Sequence, residues 1–235
     1  MLIDMHTHSS ALSHCCWIDY KKVIDLTLEK GLDGIVLTNH YEKSYIAKFG
    51  DTDSYIEKYI NEFYEAEKYG NAVGCKVLFG IEVTMELYPR VHMLIYGVGP
   101  DFLKENPYVF DCNQEELYTI VKANKGVLVQ GHPFRGGTTV LDTNFLDGIE
   151  INCHPYNNLS YSKELLKIGK EKGLLVTCGG DYHAVGPVTR PKCGMYLPDE
   201  VSDHNDLREY LLSPGPKKLC IHEQDTNEWS IVNTF

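Results

Sequence analysis

Short apolar runs alternate along the chain with longer stretches in which apolar residues recur every three or four positions. The short runs predict strands at residues 2–5, 34–38, 76–84, 91–97, 126–130, 147–152 and 174–178. The periodic stretches predict helices at 20–30, 54–69, 114–124, 163–172 and 205–212. Lysine or tyrosine meets glycine at Lys30-Gly31, Tyr69-Gly70, Lys125-Gly126 and Lys172-Gly173. Glycine is a common helix stop because it accepts positive φ without strain. Seven strands interleaved with helices predict α/β layering. The positions of the polar residues favour a parallel barrel over an open sheet. His6/His8, His40, Glu82, His132 and Asp181/His183 lie at or just past strand ends, and a barrel gathers the carboxyl ends of its strands at one mouth. No repeat or linker composition divides the chain, so one domain over 1–235 is expected.

Composition narrows the setting. With 43% hydrophobic and 23% charged residues in 235, the chain can bury an ordinary core. No apolar run is long enough to span a membrane, and the N-terminal segment lacks a basic region followed by an apolar one. A cytoplasmic location is expected. Of the eight cysteines, Cys75, Cys153, Cys178 and Cys220 fall in apolar stretches, where a reduced thiol packs as a small hydrophobe. No CxxC pair supports a thiolate zinc knot. Cys15 and Cys16 directly follow His14 and stand outside that pattern; a place beside the same site is the lesser reading for them, and neither is assigned a role. The net charge of −11 disfavours a long duplex as partner, but a small anion can be held through bound cations, which reverse the local field.

The candidate chemistry begins at His6-Thr7-His8. In an extended segment His6 and His8 share a face, and Asp4 lies on it, placed to orient a ring. Alone, the motif reads equally as a surface pair. The later positions change this: His14 follows the first strand, His40 ends the run from Gly34, Glu82 sits within Phe79-Gly80-Ile81-Glu82-Val83, and His92 opens the next strand. His132 precedes Pro133, and Asp181 and His183 close the seventh strand. So many polar groups ending apolar strands are costly to bury without a partner. Nine candidate ligands exceed what one ion takes. Two or three divalent ions are expected, with Glu82 or Asp181 bridging a pair, and imidazole with carboxylate suits Zn, Fe or Mn.

These stretches resemble the PHP family, named for polymerase and histidinol phosphatase: Asp4-Met5-His6-Thr7-His8-Ser9, Thr38-Asn39-His40, Gly80-Ile81-Glu82, His92, Gly131-His132-Pro133-Phe134-Arg135 and Gly179-Gly180-Asp181-Tyr182-His183. They follow the family's order and span residues 4 to 183. The resemblance implies a distorted (β/α)7 TIM-like barrel with a trinuclear metal site. By position, His6, His8, Glu82 and Asp181 would hold one ion, Glu82, His92 and His132 a second, and His14, His40 and His183 a third. Asn39 departs from the acidic residue common there. His154 has no family role and reads as a loop histidine, Glu150 reads equally as an interior acid or an exposed edge residue, and His204 and His222 read as surface residues.

The expected activity is hydrolysis of a small phosphate monoester by metal-activated water. Arg135 is the expected phosphate clamp and Arg190 a second substrate-binding candidate; Asp181 and His183 are catalytic candidates as well as ligands, but ligation would occupy the atoms a proton relay needs, so that role is left unassigned. Three alternatives remain: a nuclease on short oligonucleotides or nucleotides, with Tyr41, Tyr45, Tyr156, Tyr161 and Tyr182 available to stack a base; an amidohydrolase; and a non-catalytic metal-binding module. An amidohydrolase commonly uses a carboxylated lysine, but Lys76 and Lys125 precede their strands. Specificity is expected in loops 41–53, 88–90, 134–143 and 155–160.

Overall fold

A computed structural model describes residues 1–235 apart from 89, 155–160, 185–188 and 224–227. The strands are β1 (Leu2–Thr7), β2 (Gly34–Leu37), β3 (His40–Tyr41), β4 (Lys76–Thr84), β5 (His92–Tyr96), β6 (Val127–Gln130), β7 (Gly148–Asn152), β8 (Leu175–Gly179), β9 (Gly194–Tyr196), β10 (Lys218–Glu223) and β11 (Glu228–Asn233). The helices are α1 (Tyr20–Glu29), α2 (Lys43–Phe49), α3 (Thr52–Val73), α4 (Phe102–Glu105), α5 (Gln114–Ala123), α6 (Ser162–Lys172) and α7 (His204–Leu212). All seven expected strands and all five expected helices are present. β3, β9, β10, β11, α2 and α4 are additions, and β3 with α2 occupies most of the stretch read as a specificity loop at 41–53. The loop 155–160 with Tyr156, and the residues just before Thr189, lie outside the described residues.

One sheet carries every strand, in the order β11-β10-β9-β1-β2-β4-β5-β6-β7-β8, with β3 pairing on β4. The expectation of an all-parallel barrel does not hold. β5 is antiparallel to both β4 and β6, and β9, β10 and β11 extend the other edge antiparallel. The short β4–β5 connection explains the first reversal, because a parallel neighbour needs a crossover of about a dozen residues or more. The remaining pairs β1–β2, β2–β4, β3–β4, β6–β7 and β7–β8 are parallel. The sheet curls into a half-barrel: past β8, Asp181 N donates to His6 O at 2.8 Å, and Tyr182 forms a bridge with Thr7. The far end of the sheet thus returns to the carboxyl end of β1, where the polar residues are.

The helices form where the apolar period is helical and a cap is available. α3 begins at Asp51, whose carboxylate accepts from Ser54 N at 2.8 Å, a cap worth about 1 kcal/mol. Its buried residues Tyr55, Ile56, Tyr59, Ile60, Phe63, Ala66 and Gly70 form one stripe. Two of them reach the site: Tyr55 Oη donates to His40 O at 2.9 Å and Tyr59 Oη to Asn39 O at 2.6 Å. The helix passes the expected stop at Gly70 and ends at Gly74, with φ 80°. Gly70 is needed for another reason: a Cβ there would lie 2.6 Å from Cys75 O.

Candidate metal centre

β1 is buried along its whole length, so His6 enters the site from a strand covered on both faces. Register brings the others to it. His40 in β3 stands opposite Glu82 in β4. His92 in β5 pairs with Thr84, two residues beyond Glu82 and therefore on the same face. His132 and Asp181 follow β6 and β8 in left-handed backbone, φ 30° and 48°. That conformation costs a non-glycine residue about 1–3 kcal/mol and clusters at functional sites.

Glu82 joins five imidazoles. Its Oε1 lies 2.8 Å from His92 Nδ1, 3.1 Å from His132 Nε2 and 3.2 Å from His6 Nε2. Its Oε2 lies 2.7 Å from His40 Nδ1 and 3.4 Å from His8 Nε2. Asp181 Oδ1 is 3.1 Å from His8 Nε2, and 3.5 Å from both His6 Nε2 and His183 Nδ1. Burial opposes ionisation of Glu82, but His40, His6 and His92 hold its carboxyl well below the usual range. Asp181 is likewise lowered, against burial, by His6, Arg135 and His183. Burial pulls His40 down, but Glu82 and Cys15 raise it to about 10. His132 falls to about 3 through burial and the Arg135 charge.

These atoms fit divalent cations. His6 Nε2, His8 Nε2, His40 Nδ1, Glu82 Oε2 and Asp181 Oδ1 are buried and crowd against one another without an aligned hydrogen bond, an expensive arrangement for a site designed to hold nothing. Donor atoms of His8, His40 and His183 all lie within 4.8 Å of one another, as do those of His6, His8 and Glu82, of His40, Glu82 and His92, and of His154, Asp181 and His183. The structure therefore gathers every expected ligand except His14. The His14 ring is exposed and stacks on Tyr45 with centroids 4.7 Å apart.

Two other expectations change. Arg190 is not a substrate contact: it is buried, and its Nη2 donates to Asp4 Oδ2 at 2.7 Å. Asp4 does not orient a ring; its Oδ1 accepts from His6 N at 3.1 Å and Gly180 N at 2.7 Å, tying β1 to the loop after β8. The orienting carboxylate is Glu150, fully buried at 0% exposure. It lies 2.8 Å from His6 Nδ1 and accepts from His132 N at 2.9 Å and Asn152 Nδ2 at 3.1 Å. Arg135, in contrast, enters the site: Nη1 donates to Asp181 Oδ2 and Nη2 lies against His132 Nε2. Asn39 anchors the loop after β1 by accepting from Ser9 N at 2.8 Å and from Ser13 Oγ at 3.0 Å, and Ser13 Oγ also pairs with His8 Nδ1 at 3.0 Å. Sequence reasoning missed the approach of His154 to Asp181, for which the one signal was its place just past the β7 carboxyl end.

The same fold occurs in solved structures of low sequence identity. A Bifidobacterium adolescentis protein inferred to be a metal-dependent phosphoesterase is 18% identical, with TM-score 0.55 over 89% of this chain and 95% of that one. An amidohydrolase from Chromobacterium violaceum, solved with sulfate and no metal, is 16% identical, with TM-score 0.58 over 90% and 97%. PsfC from Pseudomonas syringae is 18% identical, with TM-score 0.61 over 98% and 90%. No protein-family model matches the chain, and no curated protein matches it in sequence. Among the described residues no helix is long and apolar enough to cross a membrane.

Proposed function

We propose that the protein is a metal-dependent hydrolase of small phosphate esters, using two or three Zn, Mn or Fe ions, and that it is a divergent PHP member whose curled sheet is a distorted (β/α)7 barrel over residues 1–235. The observation that carries this reading is Glu82, buried with both oxygens shared among five imidazoles. His6, His8, Glu82 and Asp181 would hold one ion, Glu82, His92 and His132 a second, and His40 and His183 would contribute to a third. Bound divalent ions supply Lewis acidity and an activated water near neutral pH.

The chain's own residues do the rest. Arg135 is 31% exposed at its side chain and faces the ligand atoms, so its two-pronged guanidinium can move from Asp181 to a phosphoryl group. Glu150 fixes the His6 tautomer so that Nε2 faces inward. His183 Nδ1 donates to Asp181 O at 2.7 Å, which leaves Nε2 as the nitrogen available to an ion. The acidic surface favours a small substrate over a long duplex.

The C. violaceum neighbour motivates an amidohydrolase as the second reading. Against it, Lys76 begins β4 at the end opposite Glu82, and Lys125 lies in the exposed turn before β6, so neither can bridge ions. Purified protein loaded with Mn, Zn or Fe should release phosphate from members of a monoester panel, and His6→Ala and Asp181→Ala should abolish both metal content and turnover. Dinucleotides in the same panel test the nuclease reading. Release of amine from an amide panel but no phosphate would replace the proposal with the amidohydrolase; full loading with no turnover of any ester or amide would make the protein a binding module.

A further inference from the structure

One histidine at the cluster answers to no expected ligand position. His154 reads from the sequence as a loop residue, yet its donor atom lies within 4.8 Å of those of Asp181 and His183. We propose that His154 ligates the ion held by His183, in the place expected for His14; the proposal rests on the metal-centre reading above.

The β7–β8 register explains how His154 arrives there. Asn152 stands opposite Gly179 in the parallel pair, and Cys153 N still donates to Gly179 O at 2.8 Å. Two residues further along each segment, His154 draws level with Asp181. The Asn152 side chain pins the chain at this point. Its Oδ1 accepts from His154 N at 3.1 Å, and its Nδ2 donates to Glu150 Oε2 at 3.1 Å and to Asp181 Oδ2 at 3.4 Å. One amide thus holds the His154 backbone, the carboxylate that orients His6, and the acid beside which His154 would bind.

Ring geometry favours His154 as the partner of His183. An imidazole nitrogen offers its lone pair in the ring plane, so two rings can share an ion only where their planes cross. The His154 and His183 planes meet at 56°, with centroids 5.6 Å apart. His8 lies nearly flat on His183, at 23° and 4.4 Å, and aims past it, in keeping with a place on the first ion. His14 offers no competition, because its ring is exposed and flat on Tyr45 at 16°.

Asp181 supplies the third donor. Its Oδ1 is buried without an aligned hydrogen bond and lies 3.5 Å from His183 Nδ1. Two neutral imidazoles and a carboxylate suit Zn, Fe or Mn and leave positions open for water or a phosphoryl oxygen. His154 and His183 are both half-buried, whereas each of the other three donor groups among the described residues has at most one half-buried member. This position therefore stands nearest solvent, and its ion should be the first that a chelator removes.

The test titrates metal-free, full-length protein with Zn²⁺, reading bound zinc by equilibrium dialysis and the histidine rings by ¹⁵N spectra. In wild type a ring nitrogen of His154 should shift strongly upfield as the last equivalent binds. His154→Phe keeps an aromatic ring against His183 but offers no donor. It should hold one tight equivalent fewer and identify the His154 signals by their absence. His154→Asp should restore that equivalent, and His14→Ala should bind as wild type does. Zinc-saturated wild type whose His154 nitrogens do not shift, or a His154→Phe protein that keeps the full count, overturns the assignment and leaves the metal centre standing. Loss of one equivalent in His14→Ala, with the His154 signals unmoved, returns the position to His14. A wild type that takes up no Zn²⁺ overturns both.

Discussion

Glu150→Gln removes one buried negative charge while keeping the side chain's shape, and the geometry leaves the amide no good orientation. Glu150 Oε1 lies 2.8 Å from His6 Nδ1, while Oε2 accepts from His132 N and Asn152 Nδ2 at 2.9 and 3.1 Å. If the glutamine oxygen faces His6, its NH2 group meets two donors. If the oxygen instead faces those donors, the NH2 group meets His6 Nδ1 and forces the proton onto Nε2, the atom that faces Glu82 and Asp181 and that the proposal assigns to metal. Either way at least one charge-assisted hydrogen bond is lost, about 1.5–3 kcal/mol. At about 1.4 kcal/mol per tenfold, this predicts a loss of roughly 10- to 100-fold in metal affinity. The assay is competition with a chelator at fixed pH, with circular dichroism of the metal-free protein to confirm folding. A folded variant with affinity within about threefold of wild type would refute the orienting role.

Arg135→Ala should weaken inhibition by inorganic phosphate about tenfold or more while metal affinity without phosphate holds or rises, since the guanidinium no longer competes for Asp181; loss of metal on this substitution would contradict that. Gly179→Ala should destabilise the metal-free protein by about 1–3 kcal/mol in urea melts, because a Cβ there would sit 2.4 Å from His6 Cβ and 2.7 Å from Glu150 Oε1; a neutral result would mean that the strands separate more easily than their packing implies. Metal-free stability should depend on pH at both ends. Burial lowers His40 but Glu82 raises it to about 10, so this pair stabilises fully below the unfolded imidazole value of about 6.5 and fades as pH climbs through about 10. Burial raises Glu82 but His40, His6 and His92 depress it, so its contribution is present above about pH 4.3 and is lost as pH falls through the depressed value. Urea melts that show stability rising from about pH 7 to about pH 10 would contradict the His40–Glu82 assignment.

The sequence made most ligand positions legible because each is a polar residue inside or ending an apolar strand: Glu82 between Ile81 and Val83, or His132 after Val127–Gln130. Strand direction was not legible, since the run around His92–Tyr96 reads the same whichever way β5 points. β3 was too short, at two residues, to leave a periodic trace. Arg190 was misread because its partner Asp4 is 186 positions away in the chain, and only folding brings them together. His14 stacks on Tyr45 instead of joining the cluster, and its loop carries no repeat from which that facing could be read.

The five contacts of Glu82 have a consequence for how the centre fills. Were Glu82 common to neighbouring ions, as proposed above, the first to arrive would rearrange the anchor on which the next depends. Occupancy of one position would then be written into the affinity of the others, and the segments that carry them (β1, β3, β5 and the residues after β6 and β8) would respond to loading as one unit.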